Sequence, residues 1–172
     1  MSQLMQSHDY IVGHLTPSIV LYEPSFEGWL SAVFYVYTNK LQDDESLQLI
    51  AHDCYIPSLI AQATSVATDA DNAERVLIKL HKLLGRSGMR NILWGFLSEK
   101  AHIGTTLFQV VKYAIDYPSR SIMEDLGNLN VLELVQTVKS VAREKHRMEA
   151  FVRFEHTTDD IYFARVEPDF NV

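Results

Sequence analysis

The chain has 172 residues, 47% of them hydrophobic, and a formal net charge of −7. That length and composition suit one globular domain spanning residues 1–172 with a sizeable core, and they exclude a disordered or fibrous chain. A single cysteine, Cys54, excludes a disulfide framework and a thiolate metal set; no apolar run approaches the roughly 18 residues a membrane span needs, and the N-terminus carries no signal-type core, so a soluble cytoplasmic protein is expected.

Residues 1–17 are polar without a clear period and read as a loose leader. Ser18 to Tyr22 reads as a short strand. Ser25 then caps a helix with Glu27 in its first turn, and Phe26, Leu30, Val33, Phe34 and Tyr37 share one face. Trp29 lies off that stripe as a second contact or an exposed aromatic, and its size favours the core. Lys40 to Ala67 is the least patterned stretch. Asp43, Asp44 and Glu45 form a solvated acidic run. His52, Asp53 and Cys54 are neighbours without a second spaced ligand cluster, which argues against a metal, and a lone Cys54 reads as a small buried hydrophobe. Ala63 to Ala67 offers a strand whose start Pro57 limits.

Asp69 or Asp71 caps the next helix, whose apolar stripe is Ala73, Val76, Leu77, Leu80, Leu83 and Leu84, with Gly85 as its terminator. Ser87 opens a short helix through Ile92, Leu93, Phe96 and Leu97. Ala101 to Tyr117 is a further helix with Leu107, Phe108, Val111, Ala114 and Ile115 inward, stopped by Pro118; His102 and Gly104 near its start read as structural. After a connector, Asn128 or Asn130 caps a long helix through Val131, Leu134, Val135, Val138, Val141, Ala142, Met148 and Val152. Phe151 to Phe154 and Ile161 to Val166 read as two strands joined by a polar turn from His156 to Asp160. The expected fold is α+β, with about five helices packed on a small antiparallel sheet formed largely by this C-terminal hairpin and joined by the Ile19 strand.

Charge is distributed unevenly. Residues 1–70 carry one lysine against eight acids, residues 71–153 carry thirteen cations against nine acids, and residues 154–172 carry one arginine against five acids. Local fields matter more than the total at contact distance, so the basic middle is the informative part. Opposite the apolar stripes, Arg75, Lys79, Lys82 and Arg86 form one basic ridge, at steps of four, three and four. Lys139, Arg143 and Arg147 form a second, with His146 at its edge and Glu144 within reach of Arg147. Arg153 and Arg165 on the hairpin either extend the second ridge or pair with Glu155, Glu167 and Asp169. A solvated face with local ion pairs accounts for any one ridge. Two ridges side by side would instead make a groove that tracks phosphates.

The segments AREKHRMEAFVRF and YFARVEPDFNV, together with YEPSFEGWLSAVF from Tyr22 to Phe34, the helix from Ala73 to Leu84, and FLSE from Phe96 to Glu99, resemble a bacterial family linked to DNA metabolism and repair. The resemblance covers most of the chain from residue 20 onward. It implies a radical-SAM protein partner, since members are often encoded beside one, and some members are fused to a uracil-DNA-glycosylase-like domain. No catalytic residue is assigned in the family that could be carried over. Its chains usually run past the equivalent of Val172 through a further helix and hairpin. The expectation is therefore a C-terminal end shorter than the family's, with a sheet edge left open to self-association.

Nucleotide-binding, hydrolase and zinc motifs are absent from the sequence, and no cofactor is expected. Three functions follow. One is a DNA-metabolism accessory protein that holds a nucleic-acid backbone through Arg75, Lys79, Lys82, Arg86, Lys139, Arg143, His146, Arg147 and Arg153. Another is a module that binds the radical-SAM companion. The third is an enzyme with a site near His146, Arg153 and Glu167, where His146 would act as general acid or base and Glu167 would pair with Asp169.

Overall fold

The computed structural model describes residues 17–59, 61–118, 121–164 and 170. Residues 1–16 of the expected leader lie outside that set, as do Arg165, Glu167, Asp169 and the end of the second hairpin strand. The first strand, β1 (Ser18–Tyr22), is followed by helix α1 (Phe26–Thr38), strand β2 (Gln48–Ala51), a short 3-10 turn (His52–Cys54) and strand β3 (Gln62–Val66). Three helices follow: α2 (Ala70–Phe96), α3 (Ile103–Asp116) and, after a 3-10 turn at Ile122–Glu124, α4 (Leu129–Phe151). Strands β4 (Glu155–His156) and β5 (Tyr162–Phe163) form a two-residue antiparallel ladder.

The expected antiparallel sheet is corrected. The main sheet has order β2-β1-β3, and both neighbours run parallel to β1. The C-terminal hairpin forms a separate sheet, and its first strand begins at Glu155 because α4 keeps its helical turns as far as Phe151. Parallel neighbours need a crossover between them, and α1 supplies it from β1 to β2. Ile19, Val20, Leu21 and Tyr22 are all buried, although successive side chains of a strand point to opposite faces, so β1 is covered on both sides. β3 has four exposed residues of five, at the sheet's outer margin.

Helix ends follow local chemistry. Ser25 accepts from the Gly28 amide, Asp69 from Asn72, and Asn128 from Asn130 and Val131, so each satisfies an amide the first turn leaves free. The described residues contain four helices rather than about five. The two segments expected on either side of Gly85 follow one another directly within α2, which is kinked at Gly85, where φ 65° and ψ −176° are non-helical and break the helix as expected before it resumes at once. That backbone conformation is nearly exclusive to glycine.

One apolar core runs from Val20 and Tyr22 through α1, α2 and α3 to Val131 and Leu134 of α4. Trp29 is completely buried, and its Nε1 donates to the Gly104 carbonyl at 3.0 Å. A Cβ at position 104 would stand 2.6 Å from the Tyr22 hydroxyl and 2.7 Å from the Leu49 carbonyl, so glycine lets the start of α3 sit against β1 and β2. The next residue closes the sheet: Thr105 Oγ1 accepts from the Leu49 amide at 3.0 Å and donates to its carbonyl at 3.2 Å. A helix side chain thus satisfies both backbone groups of Leu49 on the outer side of β2.

Candidate functional site

The basic ridge of α2 borders a groove. Val33, Phe34 and Tyr37 from α1, Arg75, Val76 and Lys79 from α2, and Val111 and Ile115 from α3 enclose a pocket of about 350 Å³. Its walls are apolar and aromatic, and the cations stand with α2. The Arg75 guanidinium lies over the Phe34 ring, with Cζ 5.0 Å from the centroid, and bonds to Asn72 Oδ1 at 3.4 Å. Among the described residues Lys79, Lys82 and Arg86 are exposed and make no ion pair. Arg75 and Lys82 are seven residues apart on a regular helix, about 10 Å along its axis. Arg86 stands just beyond the bend at Gly85, so the ridge is continuous over Arg75, Lys79 and Lys82 and turns at Arg86.

Tyr37 closes one side of the pocket. Its hydroxyl oxygen is buried and makes no hydrogen bond among the described residues. Burial, and then the negative charges of Asp116 and Asp43, push its ionisation up to about 12. It therefore stays a neutral donor throughout the physiological range. Lys112 bridges those two carboxylates, at 3.1 Å from Asp43 and 3.8 Å from Asp116.

The second ridge is on α4. Lys139, Arg143, His146 and Arg147 are exposed on the distal half of that helix, and Arg153 is exposed just beyond it. None of these five lines the groove of α1, α2 and α3. Arg147 is ion-paired with Glu144, whose side chain is only 8% exposed, and Lys145 pairs with Glu149 at 2.9 Å. Arg143 instead bonds to the Lys139 carbonyl and the Ser140 hydroxyl, both at 3.4 Å. It is thus bonded to neutral oxygens, whereas Arg147 is bonded to a carboxylate. Among the described residues no hydrogen bond joins His146 to Arg153.

A third polar region was not visible in the sequence. At the carboxyl ends of β1 and β2, a cleft of about 360 Å³ is lined by Tyr22, Asp53, Cys54, Glu99 and Lys100 among others. Carboxyl ends of parallel strands are common ligand sites in open α/β sheets. Cys54 is exposed, not buried as expected, because it lies on the turn that leaves β2. Partial desolvation and then the Asp53 carboxylate push its thiol up, which disfavours the thiolate a nucleophile needs. Beside this cleft, Lys100 donates to Thr137 Oγ1 at 2.8 Å, and Glu133 accepts from Thr106 at 3.1 Å and pairs with His102 Nε2 at 2.5 Å. These bonds tie the start of α3 to α4, so the structural reading of His102 and Gly104 agrees with their contacts. Among the described residues no group of three or more His, Cys, Asp and Glu could hold a metal ion.

With this geometry in view, comparison with known proteins adds one match. The family described as a domain of unknown function, DUF4130, matches residues 101–172. The matched stretch opens just before α3 and contains α4 and the hairpin, whereas Tyr22 to Phe34 and the α2 ridge lie outside it. No curated protein matches the chain, and no solved structure matches it. No helix among the described residues is long and apolar enough to cross a membrane.

Proposed function

We propose that the protein is a nucleic-acid-binding accessory module of DNA metabolism that holds a phosphate backbone along the basic face of α2. The observation carrying this reading is the exposed set Lys79, Lys82 and Arg86, which form no ion pair among the described residues. In a chain with 22 acids and 15 lysines and arginines, unpaired cations on one helix are available to an external anion. Arg143 and Lys139 on α4 supply further cations, and Arg147 contributes less because Glu144 already holds it. The resemblance noted for the two terminal motifs points to DNA and supports the same choice.

Binding of this kind releases counterions, so affinity falls steeply as salt rises. Short labelled DNA should bind at 50 mM salt and weaken strongly by 200 mM, and charge reversal at Lys82 and Arg86 should flatten that dependence.

A second reading has its own observation. Leu77 and Leu93 of the expected inward stripes are 38% and 39% exposed, and Ile78 beside them is 48% exposed, so apolar side chains of α2 face water. Apolar residues interleaved with cations suit a protein partner with an acidic rim, such as the radical-SAM companion. Co-purification of the two proteins after nuclease treatment would favour that reading.

A further inference from the structure

We propose that the groove of α1, α2 and α3 takes one unstacked base, with its phosphate held by Arg75 and Lys79. This rests on the nucleic-acid reading and gives it a preference for single strands over duplex. Three features of the groove support it. At about 350 Å³ it stands at the small end of ligand pockets, which run from roughly 300 to 1,000 Å³, so it suits one base and sugar better than a large cofactor. Its aromatic wall already accepts a flat group, since the Arg75 guanidinium lies on the face of Phe34. Arg75 and Lys79 line the same groove as the apolar and aromatic side chains, so cations stand at its edge for the phosphate attached to the base.

The charge arrangement fixes the orientation. The walls contributed by Val33, Val76, Val111 and Ile115 are apolar, so the uncharged ring enters and the phosphate stays outside. When a base takes the face of Phe34, Arg75 is released from the ring and swings toward the adjacent phosphate. Lys79, one turn further along, reaches the same phosphate or the next. Duplex DNA keeps its bases stacked and paired, so it meets only the cations. A free nucleotide and a base within a strand share this chemistry, and the test separates them.

The test compares four probes at fixed salt: a twelve-nucleotide oligo-dT, an abasic strand of equal length and charge, a duplex of the same length, and free thymidine monophosphate. Base–aromatic stacking gives about a tenfold preference for the normal strand over the abasic one. Thr38→Trp, at an exposed position on the mouth, closes the groove without touching the core. It should abolish that preference and leave the abasic affinity unchanged. Val76→Phe fills the groove from α2 and serves as a second variant, with circular dichroism confirming that each folds. Thymidine monophosphate binding that Thr38→Trp abolishes supports the pocket and identifies the free nucleotide as sufficient. Equal binding of normal and abasic strands, or a preference that survives both variants, overturns the inference while leaving backbone binding standing. Failure of every polymer to bind at 50 mM salt overturns both.

Discussion

Arg147 and Glu144 form an ion pair whose members differ in exposure: the arginine side chain is 60% exposed and the carboxylate 8%. Removing the arginine takes a charged partner from a carboxylate that has little water. Arg147→Ala should therefore cost about 1–3 kcal/mol of stability. Arg143→Ala, whose side chain among the described residues bonds to neutral oxygens on the helix surface, should stay within about 0.5 kcal/mol of the parent. Urea denaturation of the two variants checks this, and equal midpoints would contradict it. The practical consequence is that Arg143, not Arg147, is the α4 position at which charge reversal reads binding without a stability artefact.

Gly85 gives a second prediction. Its φ of 65° and ψ of −176° fall where side chains other than hydrogen are strained, although nothing stands within 4 Å of a Cβ built there. Gly85→Ala should lower stability by about 1–3 kcal/mol for a purely backbone reason. A thermal or urea midpoint measures it. An unchanged midpoint would mean that α2 is not bent at this position, and the separation of Arg86 from the rest of its ridge would go with it.

Tyr37 predicts an alkaline limit. The unfolded chain gives up the phenol proton near the usual value of 10.0, whereas the folded protein keeps it until about 12. Between those values the unfolded state binds fewer protons, so stability falls as pH rises. Below pH 10 the group adds no pH dependence. Burial pushes Tyr22 up in the same direction, with Cys54 and Asp53 adding to it, so a share of the alkaline loss persists without Tyr37. Melting temperatures measured from pH 8 to 11.5 should fall above about 10, and less steeply in Tyr37→Phe. An identical slope in the variant would contradict the burial of that hydroxyl.

Local signals were legible in the sequence and non-local ones were not. Ser25, Asp69 and Asn128 cap helices because a short polar side chain reaches amides two or three residues on, which needs no knowledge of the rest of the chain. The burial of Trp29 followed from its size. The parallel sheet was hidden because β2 is four residues long and β3 is mostly exposed, so neither shows the alternation that marks a half-buried strand. Its pairing also depends on β1 being covered from both faces, a property of the packed molecule. Gly85 interrupts the helical geometry where a terminator was expected, but the chain turns helical again in the next residue, so the two expected segments follow one another across a kink without a connecting loop. The cations of both ridges were readable from spacing alone. What spacing could not show is that Phe34, Arg75, Val111 and Ile115 enclose one groove, or that Arg147 is held by a buried carboxylate.

The most direct test of backbone binding is the salt dependence of affinity for a labelled single strand, compared between the parent and a Lys82→Glu, Arg86→Glu variant. With the four cations of α2 engaged, the logarithmic slope should be near −2.8, a loss of about 50-fold between 50 and 200 mM salt. The variant should bind more weakly at 50 mM and show a slope shallower by about 1.4. A parent that does not bind at 50 mM salt, or a variant whose slope equals the parent's, would contradict the assignment of α2 as the phosphate-holding face.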